Sequence, residues 1–133
     1  MKRIIAICIT LLLVPVLLAV GGCGSVPTEP DYAGTMTENV LTAINEGDYA
    51  KFSRDFDQAM KDALTEAAFE GLEGQLLASV GEYVSKEVDK VVVTDEYTTV
   101  IYNAKYTKAD KVIITISFST VDGKTMVSGL YFK

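Results

Sequence analysis

The chain predicts an α+β domain in which three N-terminal helices pack on a curved antiparallel sheet of about four strands. Three observations carry that prediction. Apolar residues recur at steps of three and four as far as Val80, the spacing of one helix face. After Gly81 the period changes to two, the spacing of a strand with one buried face. Thr94-Asp95-Glu96, Lys108-Ala109-Asp110 and Asp122-Gly123 then cut the second half into pieces of strand length.

The first 22 residues stand outside that domain. Lys2 and Arg3 precede an apolar run over residues 4–20, and Leu18-Ala19-Val20-Gly21-Gly22 leads through small residues to Cys23. This is the layout of a secretory signal. A run of that length is at the short edge of what spans ~30 Å of hydrocarbon. Pro15 inside it and the glycine pair behind it fit a cleaved signal better than a membrane helix. A cysteine directly after the cut resembles the lipobox of prokaryotic lipoproteins. That resemblance implies a diacylglycerol on the Cys23 thiol. The protein would then be exported and anchored to the outer face of the cytoplasmic membrane, or to an outer membrane. Residues 23–34, with two prolines and two glycines after the cysteine, read as lipidated residue and tether, and residues 35–133 as a single domain.

Composition narrows the function further. The leader takes Lys2 and Arg3 from the 12 basic residues, so 10 basic face 18 acidic residues, a net of −8. Such a surface repels phosphate backbones, and no nucleic-acid partner is expected. Histidine is absent, and the two cysteines are Cys8 in the leader and Cys23. That excludes Ser-His-Asp and Cys-His catalysis, histidine or thiolate metal sites, and a disulfide within the mature domain. There is no phosphate-binding glycine loop, no nucleophile elbow and no Asp-x-Asp-x-Asp-Gly calcium loop. The expectation is no cofactor, no metal and no enzymatic activity.

Thr35-x-x-Glu38 has the pattern of a capping box, with Met36, Val40, Leu41 and Ile44 at helical spacing behind it and Gly47 at the stop. Asp48 is placed to cap a second helix whose stripe is Tyr49, Phe52, Phe56, Met60 and Leu64. Thr65 is placed to cap a third, with Phe69, Leu72, Leu76 and Val80 inward and Gly81 at its end. Gly71 and Gly74 inside it mark either close packing or an early end, each weakening the helix by up to ~1 kcal/mol relative to alanine.

Strands are expected at about residues 83–93, 97–107, 111–120 and 125–132. On the second, Val100, Tyr102, Ala104 and Tyr106 share a face; on the third, Val112, Ile114, Ile116 and Phe118 do. A three-residue loop between them pairs Tyr106 with Val112, Ala104 with Ile114 and Tyr102 with Ile116, which brings both apolar sets together. In the last hairpin an Asp122-Gly123 turn sets Phe118 opposite Val127, on the face of Gly129 and Tyr131. A one-residue bulge brings Met126, Leu130 and Phe132 to that face instead. The pattern admits both.

The segment Asn45-Glu46-Gly47-Asp48-Tyr49-Ala50-Lys51-Phe52 is followed by Asp55-Phe56-Asp57, Met60, Leu64-Thr65, Phe69, Leu72, Leu76 and Gly81-Glu82-Tyr83. Together these resemble the domain-of-unknown-function family 3887, over about residues 33–133. The resemblance implies a nuclear-transport-factor-two-like cone of the cystatin-like superfamily, in an exported or lipid-anchored prokaryotic protein. It is a pattern of packing residues and names no chemistry. Some relatives carry this domain ahead of an α/β-hydrolase; none precedes Lys133, so hydrolysis is not carried over.

Three sets of residues are candidate sites. Tyr49, Phe52, Phe56, Phe69, Tyr83, Tyr102, Tyr106 and Phe118 either line a pocket for an apolar or aromatic ligand or fill the core between helices and sheet. Tyr102 and Tyr106 are the best pocket candidates, because a hydroxyl on a core face needs a partner. Asp55 and Asp57, two positions apart on a helix, point ~200° away from each other. Asp57 lies near the apolar stripe, and burial in a cone would raise its pKa toward general-base duty; the wider superfamily implies such an acid. The third set is the other sheet face, Thr99, Ile101, Asn103, Ile113, Thr115 and Ser117. There Ile101, Ile113 and Thr115 mark either a homodimer face or an ordinary solvated sheet. The chain therefore reads as a lipid-anchored extracytoplasmic binding domain for a small ligand, a peptide or an envelope protein. The alternatives are a small hydrolase or isomerase-like enzyme using Asp57 with a tyrosine, or a purely structural dimerisation module.

Overall fold

The computed structural model of the chain describes residues 28–133; the signal segment 1–22 and Cys23 lie outside the described residues. Four helices precede four strands: α1 (Asp31–Glu46), α2 (Tyr49–Ser53), α3 (Gln58–Ala63), α4 (Glu66–Ser79), β1 (Tyr83–Val93), β2 (Thr98–Tyr106), β3 (Ala109–Val121) and β4 (Lys124–Phe132). The strands form one antiparallel sheet in chain order. The α+β class and the strand positions agree with the sequence reading. Three local features differ.

Helix α1 begins at Asp31 with Pro30 as its N-cap, not at Thr35, so residues 31–34 are helix rather than tether. Packing is the reason. Ala33 is fully buried, and the Tyr32 ring meets Phe118 edge-on at 5.2 Å between centroids. At the other end Gly47 takes the left-handed conformation (φ 67°), and the Asp48 N–H donates to the Ala43 carbonyl at 3.0 Å. The Asp48 carboxylate then accepts from the Lys51 N–H and opens α2.

The expected second helix is two. The stripe Tyr49, Phe52, Phe56 and Met60 keeps helical spacing, but the backbone leaves the helix after Ser53. Phe56 instead bridges Val127 in parallel: the Val127 N–H donates to the Asp55 carbonyl at 2.7 Å, and the Asp57 N–H donates to the Val127 carbonyl at 3.0 Å. The chain thus exchanges helical bonds for a short ladder to β4. Asp57 restarts the helix as the N-cap of α3, its Oδ1 accepting from the Met60 N–H at 2.8 Å. Thr65 caps α4, which runs through Gly71 and Gly74 to Ser79.

The β2–β3 register is two residues from the expected one. Tyr106 faces Ala109 across Thr107-Lys108, and a bulge then sets Ala104 opposite Val112, Tyr102 opposite Ile114 and Val100 opposite Ile116. A shift of two keeps every side chain on its face, so the apolar sets still meet. In the last hairpin both alternatives occur in succession. Asp122 (φ 51°) and Gly123 (φ 76°) make the two-residue turn, and Phe118 faces Val127. A bulge follows, so Ile116 faces Leu130 and Ile114 faces Phe132. Tyr131 points outward. Two more bulges interrupt the β1–β2 ladder.

The core lies between α1, the short helices and the inner face of the sheet. Phe52, Phe56, Phe69, Tyr102 and Phe118 are at most 1 % exposed. The Phe52 ring sits 4.8 Å from Phe56, edge-on, and 4.6 Å from Phe69.

Candidate functional site

Those contacts decide the fate of the aromatic set. Phe52, Phe56 and Phe69 pack ring against ring and are core; Phe118, buried against Tyr32, also forms the floor of a small cleft beside Thr94–Thr98. Tyr49 joins them through Phe69 at 5.7 Å and donates its hydroxyl to the Leu64 carbonyl at 2.9 Å. Asp57 is committed to the cap of α3, its carboxylate accepting from the Met60 N–H. Ile101, Ile113 and Thr115 are half-buried on the outer face, where the Thr99 and Ser117 hydroxyls bond each other at 2.8 Å.

The remaining tyrosines lead elsewhere. Tyr102 on β2 is fully buried, yet its hydroxyl donates to the Glu29 carboxylate at 2.5 Å. Tyr83, at the start of β1, donates its hydroxyl to Glu38 Oε2 at 2.8 Å, and its ring meets Tyr106 edge-on at 5.8 Å. Lys86, one β1 turn of side chains further on, sets its ammonium 3.2 Å from the same Glu38 oxygen and 5.3 Å from the centre of the Tyr102 ring. Glu29, Glu38 and Lys86, with Pro30, Asp31, Gly34, Thr35 and Asn39, line an open cleft of about 550 Å³ between the start of α1 and β1.

Local sequence explains the placement. Asn45 on α1 holds the backbone of Tyr83 twice, accepting from its N–H and donating to its carbonyl, both at 2.9 Å. That fixes the start of β1 against α1 and aims Tyr83 and Lys86 at Glu38. The capping-box partner Glu38 is therefore a site residue, not a cap.

Electrostatics keep the phenols protonated. Burial raises the Tyr83 pKa, and the Glu38 carboxylate adds to it. Burial also raises Tyr102, reinforced by Glu29. The Thr37 hydroxyl, buried and without a hydrogen-bond partner, acts in the opposite direction. Tyr106 is pushed up to about 12 by burial. The cleft thus rests on two phenol donors and an ammonium, each paired with Glu29 or Glu38. Among the described residues no three acidic side chains converge closely enough to hold a metal ion, and no helix is long and apolar enough to cross a membrane.

Helices on one face of a bent four-stranded antiparallel sheet define a nuclear-transport-factor-two-like α+β domain. An NTF2-named protein, Rd1NTF2_05 carrying five substitutions, has this architecture with a TM-score of 0.53 at 13% identity, over 77% of this chain and 97% of its own. A DUF4783 family protein from Bacteroides uniformis ATCC 8492 aligns at 16% identity over 72% of this chain and 94% of its own, with a TM-score of 0.49. The chain belongs to the family of proteins of unknown function DUF3887, whose model matches residues 37–130. No curated protein matches it.

The sequence reading did not find this site. Glu29 falls in the stretch read as tether, Glu38 reads as the partner in a capping box, and Lys86 is not singled out. The one available signal was Pro30-Asp31, a proline followed by an acidic residue, which marks a helix start ahead of Thr35.

Proposed function

We propose that this domain is a non-enzymatic binding module, held outside the cytoplasmic membrane by lipid on Cys23, that takes its ligand in the cleft between α1 and β1. The anchor rests on the leader and the small residues before Cys23. Binding rests on one observation: polar groups are gathered beneath a single cleft. Tyr102 and Thr37 are fully buried and Tyr83 nearly so, and the Lys86 side chain is 13 % exposed. A domain optimised only for stability would fill such positions with apolar side chains, because each buried polar group loses its water. The filled aromatic interior argues against a ligand deeper in the cone.

The experiment is native mass spectrometry of the mature lipoprotein, purified gently from its host, against its denatured mass. Labelled palmitate is followed in wild type and Cys23→Ala. A mass lost on denaturation, with label that disappears in Cys23→Ala, supports the proposal. A bare monomer overturns the binding reading, and a bare dimer moves the case to the outer sheet face. Label retained in Cys23→Ala overturns the anchor.

A further inference from the structure

We propose that the Glu29 carboxylate is a built-in stand-in for the ligand. The cleft is then a receptor for a small zwitterion bearing a carboxylate and an ammonium group. This inference rests on the binding reading above and names the ligand class of that same site.

Four observations carry it. The Glu29 carboxylate meets the hydroxyl of Tyr102, a residue with no exposed surface, 73 positions away in the chain. It also lies directly on the backbone of α1 at Gly34: a Cβ there would stand 2.8 Å from Glu29 Oε1 and 3.3 Å from Cδ. Gly34, in the first turn of α1, leaves the carboxylate lying against the helix with no Cβ between them. Thr37, one turn further along α1, holds a fully buried hydroxyl that has no hydrogen-bond partner. Buried hydroxyls are seldom left unpaired without cause. Lys86 completes the set with a positive charge over the Tyr102 ring.

These donors belong to the scaffold, on α1, β1 and β2, while the acceptor comes from the strap before α1. The strap is not needed to start the helix, since Pro30 is the N-cap and no side chain caps it. An external carboxylate offers the Tyr102 hydroxyl the acceptor that Glu29 now supplies, with the Lys86 ammonium over the same ring. When Glu29 leaves, the cleft retains Asp31 and Glu38 against Lys86 alone. That balance disfavours a simple anion and favours a ligand carrying its own positive group. Thr35 and Asn39 on the same wall add hydrogen-bonding capacity. A carboxylate at one end and an ammonium facing Asp31 and Glu38 satisfies both halves, within a volume typical of small-molecule sites.

The test follows glycine, acetate and methylammonium binding to the full mature lipoprotein in detergent by backbone amide chemical shifts. Wild type, Glu29→Ala and Glu29→Gln are compared; the Gln variant preserves side-chain length if Ala disturbs folding. Glu29→Ala is expected to bind glycine about tenfold more tightly than wild type, because the tethered competitor is gone, and Glu29→Gln to gain less, because its amide oxygen still accepts from Tyr102. Shifts should centre on Gly34, Lys86 and Tyr102, with acetate weaker and methylammonium weaker still. Adding Tyr102→Phe should abolish the gain. Equal affinity in all three proteins, shifts away from the cleft, or a gain that survives Tyr102→Phe overturns the inference. A native ligand without a carboxylate also overturns it while leaving the binding reading in place; failure of that reading shows separately, as a bare monomer mass.

Discussion

Phe52→Ala separates a solid core from a pocket. Phe52 has no exposed surface and packs its ring against Phe56 at 4.8 Å and Phe69 at 4.6 Å. If these rings close the interior, truncation removes a buried ring and leaves a void that Phe56 and Phe69 are too constrained to fill. Deleting a buried phenylalanine costs about 3–5 kcal/mol, so about 4 kcal/mol is expected here. Against a total of about 5–15 kcal/mol, that is a large share of the domain's stability. With a urea slope of about 2 kcal/mol per molar, the unfolding midpoint should fall by about 2 M. Phe52→Leu retains most of the volume and should lose only about 1 kcal/mol. Urea titration by circular dichroism reads both. A loss below about 1 kcal/mol for the alanine variant would show that Phe52 already borders empty space. The aromatic set would then be a pocket after all, and the ligand would belong inside the cone.

The other predictions concern backbone and protons. Alanine at Gly71 and Gly74 meets no atom within 4 Å in the interior of α4, so each should raise stability by about 0.5–1 kcal/mol, read by thermal melting; a loss would reveal packing on that face. Gly81→Ala should do the opposite by at least ~1 kcal/mol, since its φ is 84° and its Cβ would collide with the Thr107 hydroxyl. Tyr106 holds its proton to about 12 in the folded chain, above the ordinary phenol value of 10.0. Its contribution is therefore complete below pH 10 and is lost as pH rises toward 12, with Tyr83 and Tyr102 acting in the same direction. Tyrosinate absorbance should show three of the seven tyrosines ionising only as the fold is lost. All seven titrating together in a folded protein would refute the burial argument.

The strands and helix caps were legible because they are local. Asp48, Thr65 and Gly47 act within a few residues, and period two survives any even shift of register. For that same reason the pattern did not distinguish a three-residue β2–β3 loop from a two-residue turn with a bulge. The break at Asp55-Phe56-Asp57 was illegible because its cause, Val127, lies about seventy residues downstream while the apolar spacing runs on unbroken. The site was hidden in another way. Its charged members, Glu29, Glu38 and Lys86, have the composition of ordinary surface, and only contact with buried tyrosines across the fold marks them.

The early start of α1 fixes more than a helix boundary. Glu29 is already held by Tyr102, so only six residue steps join the proposed lipid on Cys23 to a fixed point of the domain. Six steps reach at most roughly 20 Å. With lipid on Cys23, as proposed, the start of α1 would stay within that distance of the bilayer surface. Among the described residues, Glu29 lies nearest that proposed anchor with a side-chain bond to the sheet. Tension would peel the strap from that bond, making occupancy of the cleft sensitive to the distance between the domain and its membrane.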